Sequence, residues 1–590
     1  MRLRLLLTGV ALAAWPPCVA AAQTVNVNQT MVGQGPQTPG GAPRDGRAPA
    51  QVGTASVRGR VIAADTGRPL RRARISFQAS ELNGENRSTS TNADGKFEIK
   101  DLPAGRYTIS VSRSGYLQLR YGQRRPFEAG TPLPLADRQA VDNVNFSLPR
   151  MGLITGRVFD ETGDPISGVR VFAMRSVYFE GKRRLVPVAG GPIAMTDDAG
   201  QYRILGLAPG GYFVMADLRE TWTVTEGSAE QVLGYAPTYF PGAVGVTDAR
   251  RVTVAVGQEM SNTDFALIPG RAMTVSGTAV DSQGRPLVGR QVSLGQEWRG
   301  PGFGMMMFGG TNASVNADGS FVMKSVAPGP YTLNVRSAVD VGGATVQETA
   351  AAQIIVGEAP VDNISLQTSS GWSASGQVTT ETGAAPALPR ERIRLTSRPA
   401  ADASGVRSSL ATNGPGPGNA DSGRVREDWT FVVSGVFGPA RIRATLPEGW
   451  TVKQILQDSR DVTDSVFEMR SGETLQGLQV IVTDHTNAVA GQLADDKGAP
   501  IVDGTVIAFS TDTEKWTEDS RFVQSARPDR EGKYRVRALP AGEYFVVAVD
   551  YVEEGMWNDP EFLDSVRRYA QKVSLGDADT QTVSLKLITP

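Results

Sequence analysis

The sequence predicts an all-β protein, a tandem array of about five seven-stranded Greek-key β-sandwiches with a short helix in the last. Three observations predict it. Short segments alternate apolar and polar residues between turn signals, at a spacing of roughly 8–12 residues. A set of Gly, Asp, Pro and Tyr landmarks recurs along the chain. Gly 66 and Pro 36 in 590 residues are many for a helical protein and few for collagen or disorder throughout.

The N-terminus precedes the array. Arg2 and Arg4 form a basic start, and Leu5 to Ala14 form an apolar run too short for a bilayer, which needs about 20 residues. Ala20 and Ala22 give a small-x-small cleavage pattern, so residues 1–22 read as a cleavable signal peptide. Cys18 follows Pro16 and Pro17, with Trp15 where a lipid-anchor motif wants Leu, so ordinary export is expected. Residues 23–54 are rich in Gln, Asn, Gly and Pro and read as a disordered tether. The expected location is periplasmic, outer-surface or secreted. No later apolar run is long enough to span a membrane, so no transmembrane segment is expected once the leader is gone. The mature chain would hold no cysteine. Stability must then come from cores rather than disulfides.

From Val57 onward one pattern repeats. Each unit opens on a strand containing Gly59, Gly156, Gly277, Gly376 or Gly491. A D-x-x-G-x-P turn follows, as in Asp160, Gly163 and Pro165, where Asp can bond its own backbone, Gly takes positive φ and Pro fixes the exit. A hairpin signal, D-x-G-x-aromatic, comes next: Asp94, Gly95 and Phe97; Asp198, Gly200 and Tyr202; Asp318, Gly319 and Phe321; Asp529, Gly532 and Tyr534. The last signal is L-x-P-G-x-Y, carried by Gly105 and Tyr107, Gly210 and Tyr212, Gly329 and Tyr331, and Gly542 and Tyr544. Each Tyr is expected to pack inward while its hydroxyl finds a partner. Alternating strands such as Val144, Phe146 and Leu148 close the units.

The expected sandwiches span 55–149, 152–269, 272–367, 371–483 and 486–590. The fourth is degenerate: it keeps Trp429, Phe431 and Gly438 but no Asp-Gly and no Tyr, and its 411–424 stretch reads as a long loop. In the fifth, Asp559 caps a helix from Pro560 to Ala570 with Phe562, Leu563, Val566 and Tyr569 on one face. Linkers at 148–151 and 268–272 are short, so a semi-rigid rod on the order of 150–200 Å is expected.

The order G-x-V, D-x-x-G-x-P, D-x-G-x-Y, L-x-P-G-x-Y resembles the carboxypeptidase regulatory-like domain, in tandem copies. That resemblance implies a transthyretin-like (prealbumin-like) seven-stranded sandwich, related to carbohydrate-binding-like folds. It implies little about function, since the module accompanies enzymes, receptors and adhesins alike. In metallocarboxypeptidases the module follows a zinc domain, which this chain lacks. Some related domains form a Lys–Asn cross-link. Here the opening strands carry Arg58, Arg60, Arg157 and Thr278 but no Lys, so none is expected.

Composition narrows the chemistry. The chain has 60 basic and 61 acidic residues, which argues against nucleic-acid binding. His485 is the single histidine, so two-histidine metal sites and a Ser-His-Asp triad with its elbow motif find no support. The Asp turns at Asp65, Asp94, Asp197, Asp198 and Asp318 offer one or two carboxylates each, already committed to backbone. No catalytic residue, metal or cofactor is expected.

Binding is the remaining class. Tyr235, Tyr239, Phe240, Trp372, Trp429 and Trp557 are candidate sugar-stacking residues, against the alternative that they fill cores. The Met-rich 302–310 segment is a candidate apolar contact tip. Residues 55–149 carry a net +6 and residues 486–590 a net −6. Arg71, Arg72, Arg74, Arg120, Arg124 and Arg125 could form a basic face or simply a solvated one. The expected function is a non-catalytic exported envelope or extracellular rod presenting loops to a glycan or protein partner. The alternatives are a carbohydrate-binding module array, or an accessory subunit of a peptidase or transporter.

Overall fold

The computed structural model describes residues 53–590, apart from 80–81, 83–85, 180, 189–192, 227, 301–303, 342–343, 401–421, 448, 496, 530 and 590. The expected signal peptide, almost all of the tether and most of the 411–424 loop lie outside the described residues. The five largest groups of buried apolar side chains follow one another along the chain. They run from Ala55 to Leu148, Ile154 to Leu267, Val275 to Leu366, Trp372 to Val482, and Val489 to Leu585. Each group is the core between two sheets, and the modules are called sandwiches 1 to 5 below. Their main sheet pairs hold four and five, four and six, three and four, five and two, and three and five strands. The all-β array is therefore as expected.

One strand arrangement recurs in all five. The opening strand, Ala55–Ala63 in sandwich 1, pairs antiparallel with Lys96–Leu102 and parallel with the closing strand Phe146–Leu148. The same sandwiching of the opening strand is found at Gly152–Phe159, Met273–Val280, Trp372–Thr380 and Asn487–Gln492. The recurring glycine is explained by this pairing. A β-carbon on Gly59 would stand 1.9 Å from the Val144 carbonyl oxygen. On Gly156, Gly277, Gly376 and Gly491 it would stand 2.2, 2.1, 1.9 and 1.9 Å from the carbonyls of Thr263, Ile364, Leu478 and Val583. Only glycine lets the closing strand cross so near.

The hairpin signal is real, but its capping residue lies earlier than the sequence reading placed it. In sandwich 1 the side chain of Asn92, not Asp94, accepts from the Asp94 and Lys96 amides at 3.0 and 2.9 Å. In sandwich 2 Asp197, not Asp198, accepts from Ala199 and Gln201 at 3.0 and 2.8 Å. Asp529 does the same in sandwich 5, whereas Asp318 in sandwich 3 accepts from Ser320. The following residue, Gly95, Gly200, Gly319 or Gly532, has φ between 68 and 86°. Sandwich 4 forms the same turn with Trp429 in the glycine place at φ 64°, its amide bonded to Arg426. Asp428 bonds Thr430 at 3.0 Å. The loss of the Asp-Gly pair thus altered the residue and not the turn.

The four tyrosines share one contact. Tyr107, Tyr212, Tyr331 and Tyr544 donate to the carbonyls of Pro103, Ala208, Ala327 and Pro540, each four residues back, at 2.8, 2.5, 2.9 and 2.8 Å. Each ring is buried and pins the turn that starts its own strand. Sandwich 4 substitutes Trp372, whose Nε1 donates to the carbonyl of Gly438, two residues beyond its strand partner Val436, at 3.1 Å. The helix spans Pro560–Arg567, capped by the Asp559 side chain, and buries Phe562, Leu563 and Val566. It stops short of Tyr569, which is exposed because the chain turns into the strand Gln571–Leu575.

The rod is the expectation that fails. The linkers are indeed held: the Leu117 amide donates to the Pro149 carbonyl and the Met151 amide to the Gly115 carbonyl, and Ile268–Arg271 is itself a strand paired with Ala229–Ala236. But sandwich 5 also contacts sandwiches 1 and 2, through pairs separated by almost 380 residues or more, so residues 53–590 turn back on themselves. Sequence spacing reports linker length, not the direction in which a linker points.

Two outcomes follow. Gly491→Ala should lower the stability of sandwich 5 by about 3 kcal/mol, because backbone rather than a side-chain tip blocks the added methyl. Gly576→Ala, with open space around it, should be neutral or mildly stabilising in the same urea titration. Burial raises the Tyr212 and Tyr331 hydroxyls from 10.0 to about 12. The folded state holds these protons more tightly than the unfolded state. Their contribution is thus complete below pH 10 and lost as pH rises towards 12. Thermal unfolding followed by circular dichroism should show a flat profile to the lower value and a decline above it. Tyr212→Phe should cost about 1 kcal/mol at neutral pH and weaken that decline.

Candidate functional site

The six aromatic candidates do not assemble into a binding face. Trp372, Phe240 and Tyr235 are buried, at 1%, 4% and 8% exposure. Tyr235 also donates to Glu161 at 2.8 Å and packs on Trp222. Tyr239 is half-buried beside Phe172 and Met215. Trp429 lies against the core of sandwich 4, and Trp557 against the cluster under the helix. Large rings here complete cores, and the shared stacking surface that sugar recognition needs is not formed by them. The turn residues Asp94, Gly95, Gly105, Tyr107, Asp198, Gly200, Gly210, Tyr212, Asp318, Gly319, Gly329, Tyr331, Gly532, Gly542 and Tyr544 are spread over four separate sandwiches. They converge on no common pocket. Gly304–Ser314 continues the 302–310 segment as a strand paired with Gln291–Gly300. The side chains of residues 301–309 lie outside the described residues.

Other chemistry is sparse. Among the described residues no group of three or more His, Cys, Asp or Glu could hold a metal ion. The His485 side chain is exposed, with Asp484 at 3.9 Å. No helix among the described residues is long and apolar enough to cross a membrane.

A cavity of about 260 Å³ opens where sandwich 4 meets sandwich 5. Arg398, Arg441 and Arg443 line it from two paired strands, Arg394–Pro399 and Ala440–Thr445. Pro399, Pro439 and Val466 add apolar walls, while Glu518 and Asp519 face it from sandwich 5. The Arg443 guanidinium is mostly buried and donates to the Thr463 carbonyl at 2.6 Å and to Asp464 at 3.3 Å. Burial pushes its pKa below the ordinary arginine value, against the pull of Asp464. Asp464 also accepts from Arg521 at 2.9 Å, so one carboxylate serves two guanidiniums. Alternate residues 441 and 443 on a strand share a face, which is the sequence signal for this cluster; the partner strand and sandwich 5 could not be read from spacing.

The basic residues of sandwich 1 divide in two. Arg71, Arg72 and Arg74 are exposed. Arg120, Arg124 and Arg125 lie against sandwich 5, paired with Glu554, Asp503 and Asp550. The opposite net charges of the two sandwiches therefore meet in the fold.

Comparison with known proteins gives one family and several distant folds. Residues 56–149 match the carboxypeptidase regulatory-like domain. No curated protein matches the sequence. Among solved structures, the chain is similar to a streptococcal ancillary pilin, at 13% identity over 53% of this chain and 98% of that one, with a TM-score of 0.19. It is similar to a minor pilin of Streptococcus agalactiae, at 14% over 36% and 95%, with a TM-score of 0.20. It is similar to the TIE protein of Bacillus anthracis, at 10% over 74% of each, with a TM-score of 0.13. Residues 56–149 are thus similar to the carboxypeptidase regulatory-like domain, and the chain is a tandem all-β array in which the glycine, turn and tyrosine devices of that segment recur.

Proposed function

We propose that the chain is a non-catalytic exported scaffold of the cell envelope or its exterior, in five sandwiches at 55–149, 152–269, 272–367, 371–483 and 486–590, holding loops for a partner. One observation carries this reading: the residues that recur most regularly are consumed in shaping backbone. Their carboxylates cap turns, their hydroxyls bond carbonyls four residues away, and their glycines admit a crossing strand. These groups lie in separate sandwiches and each serves its own turn, whereas acid–base and nucleophilic catalysis need such groups brought together. A leader peptide and cysteine-free mature chain fit export. The full exported chain should show no turnover on peptide and ester panels, with and without added zinc. Saturable hydrolysis that survives repeated purification would overturn this.

A second reading rests on the arginine-lined cavity. With neutral-sugar stacking unsupported by the aromatics, the three guanidiniums of Arg398, Arg441 and Arg443 outnumber the carboxylates of Glu518 and Asp519 in the same lining, and this balance fits a carboxylate-bearing sugar better than a neutral one. An array pairing uronate glycans with their neutral counterparts should retain only the acidic members. Arg441→Ala should lower that signal by about tenfold, roughly 1.4 kcal/mol. Equal retention of neutral glycans, or no change in the variant, would remove this reading.

A further inference from the structure

We propose that the contact between sandwich 5 and sandwiches 1 and 2 is a reversible electrostatic latch, an interaction surface whose occupant is the chain's own C-terminal sandwich. The surface is built on residues 120–128 of sandwich 1. Arg120 pairs with Glu554 at 2.7 Å, Arg125 with Asp550 at 3.5 Å, and Arg124 with Asp503. In the reverse direction Arg527 of sandwich 5 reaches into the same loop. It donates to the Gly122 and Ala129 carbonyls at 2.7 and 3.1 Å and pairs with the buried Glu128 at 3.3 Å. Two backbone carbonyls complete the seat: Pro126 accepts from the Tyr551 hydroxyl at 3.0 Å, and Phe127 from the Glu554 amide at 2.8 Å. Sandwich 2 joins at the edge. Arg175 lies 3.5 Å from the centre of the Phe127 ring and pairs with Glu553 at 2.5 Å, while Arg183 reaches Asp559 and Glu561 at 2.8 and 2.9 Å.

Three features make this a latch rather than a fused core. The contacts are ionic and polar, with the rings of Phe127 and Tyr551 serving chiefly as faces for Arg175 and Arg125. Interfaces of that kind between separate cores permit relative motion. The three direct pairs of Arg120, Arg124 and Arg125 keep their cations about half exposed, so salt screens them. The charges also match beyond the contacts, +6 on residues 55–149 against −6 on residues 486–590, which steers closure from a distance. When the latch opens, Arg120, Arg124, Arg125, Arg175 and Arg183 are released together.

Small-angle X-ray scattering on the full exported chain tests this, at ionic strengths of about 0.05 M and 1 M, where the screening length falls from more than 10 Å to about 3 Å. The expected result is a smaller radius of gyration at low salt and a reversible increase at high salt. Arg120→Glu with Arg124→Glu and Arg125→Glu should give the expanded form at low salt, with an unchanged far-ultraviolet circular dichroism spectrum. Adding Glu554→Arg, Asp503→Arg and Asp550→Arg to that variant should restore the compact form. A radius that ignores both salt and charge reversal overturns the latch. So does a chain already expanded at low salt, or a reversed-charge set that fails to restore closure.

Discussion

In each sandwich the opening strand lies between an antiparallel neighbour and a parallel closing strand, and at one place the closing carbonyl comes so near that no β-carbon fits between. Five glycines, 97 to 121 residues apart, hold that place. The crossing determines where the closing strand runs and hence which faces of the two sheets oppose each other. The residues around it serve the same crossing. Asn143, Asn262 and Asn363 take φ of 60 to 63° just before the approaching residue in sandwiches 1 to 3, and Gly477 takes 77° in sandwich 4. In sandwiches 2 and 5 the hairpin tyrosines Tyr202 and Tyr534 donate to that very carbonyl, of Thr263 and Val583. A strained approach is thus also a satisfied one, with the carbonyl's second lone pair occupied from inside the core.

Sandwich 4 shows how far the chemistry can vary while the geometry stays. Its hairpin places Trp429 in a conformation that glycine takes elsewhere, at a cost on the order of 1–2 kcal/mol. The ring offsets this by packing against the core of sandwich 4. Its missing corner tyrosine is replaced by an indole from a different strand, aimed at a carbonyl of the equivalent turn. What is retained is the crossing at Gly376 and Leu478. Turn and corner tolerate substitutes because each needs only a donor or a left-handed residue. The crossing tolerates none, because it needs the absence of an atom.

This distinction also accounts for what was legible in the sequence. Spacing of Gly, Pro and Tyr revealed the sandwiches because these residues act on the backbone within a few positions of themselves. The accepting side chain of the first two hairpins was misplaced by one or two residues, since Asp94 and Asp198 stand next to the residues that bond. A bulge in the strand paired with the start of each opening strand, at Asp101, Gly206, Ser325, Gly435 and Ala538, was invisible: all five have positive φ, yet only two are glycine. The cavity and the contact of sandwich 5 were illegible for another reason. Arg441 and Arg443 signal a shared strand face, but Glu518 and Asp519 opposite them come from another core. Arg124 and Asp503 are 379 positions apart, and no local periodicity links them.

The same separation of scales bears on how such a chain can work. Each core closes on its own devices, so the sandwiches do not depend on one another for their fold in the way solenoid repeats do. Contacts between them differ in kind: Trp298 of sandwich 3 packs on Phe172 of sandwich 2, whereas sandwich 5 meets sandwich 1 through polar groups. The joins also differ: Ile268–Arg271, between sandwiches 2 and 3, is woven into a sheet, whereas sandwich 5 meets sandwich 1 through ion pairs, side-chain bonds to carbonyls and the single backbone bond from Glu554 to Phe127. The element held by charge is the one whose position responds to its surroundings, because charge is the only one of these restraints that solvent ions can weaken at a distance.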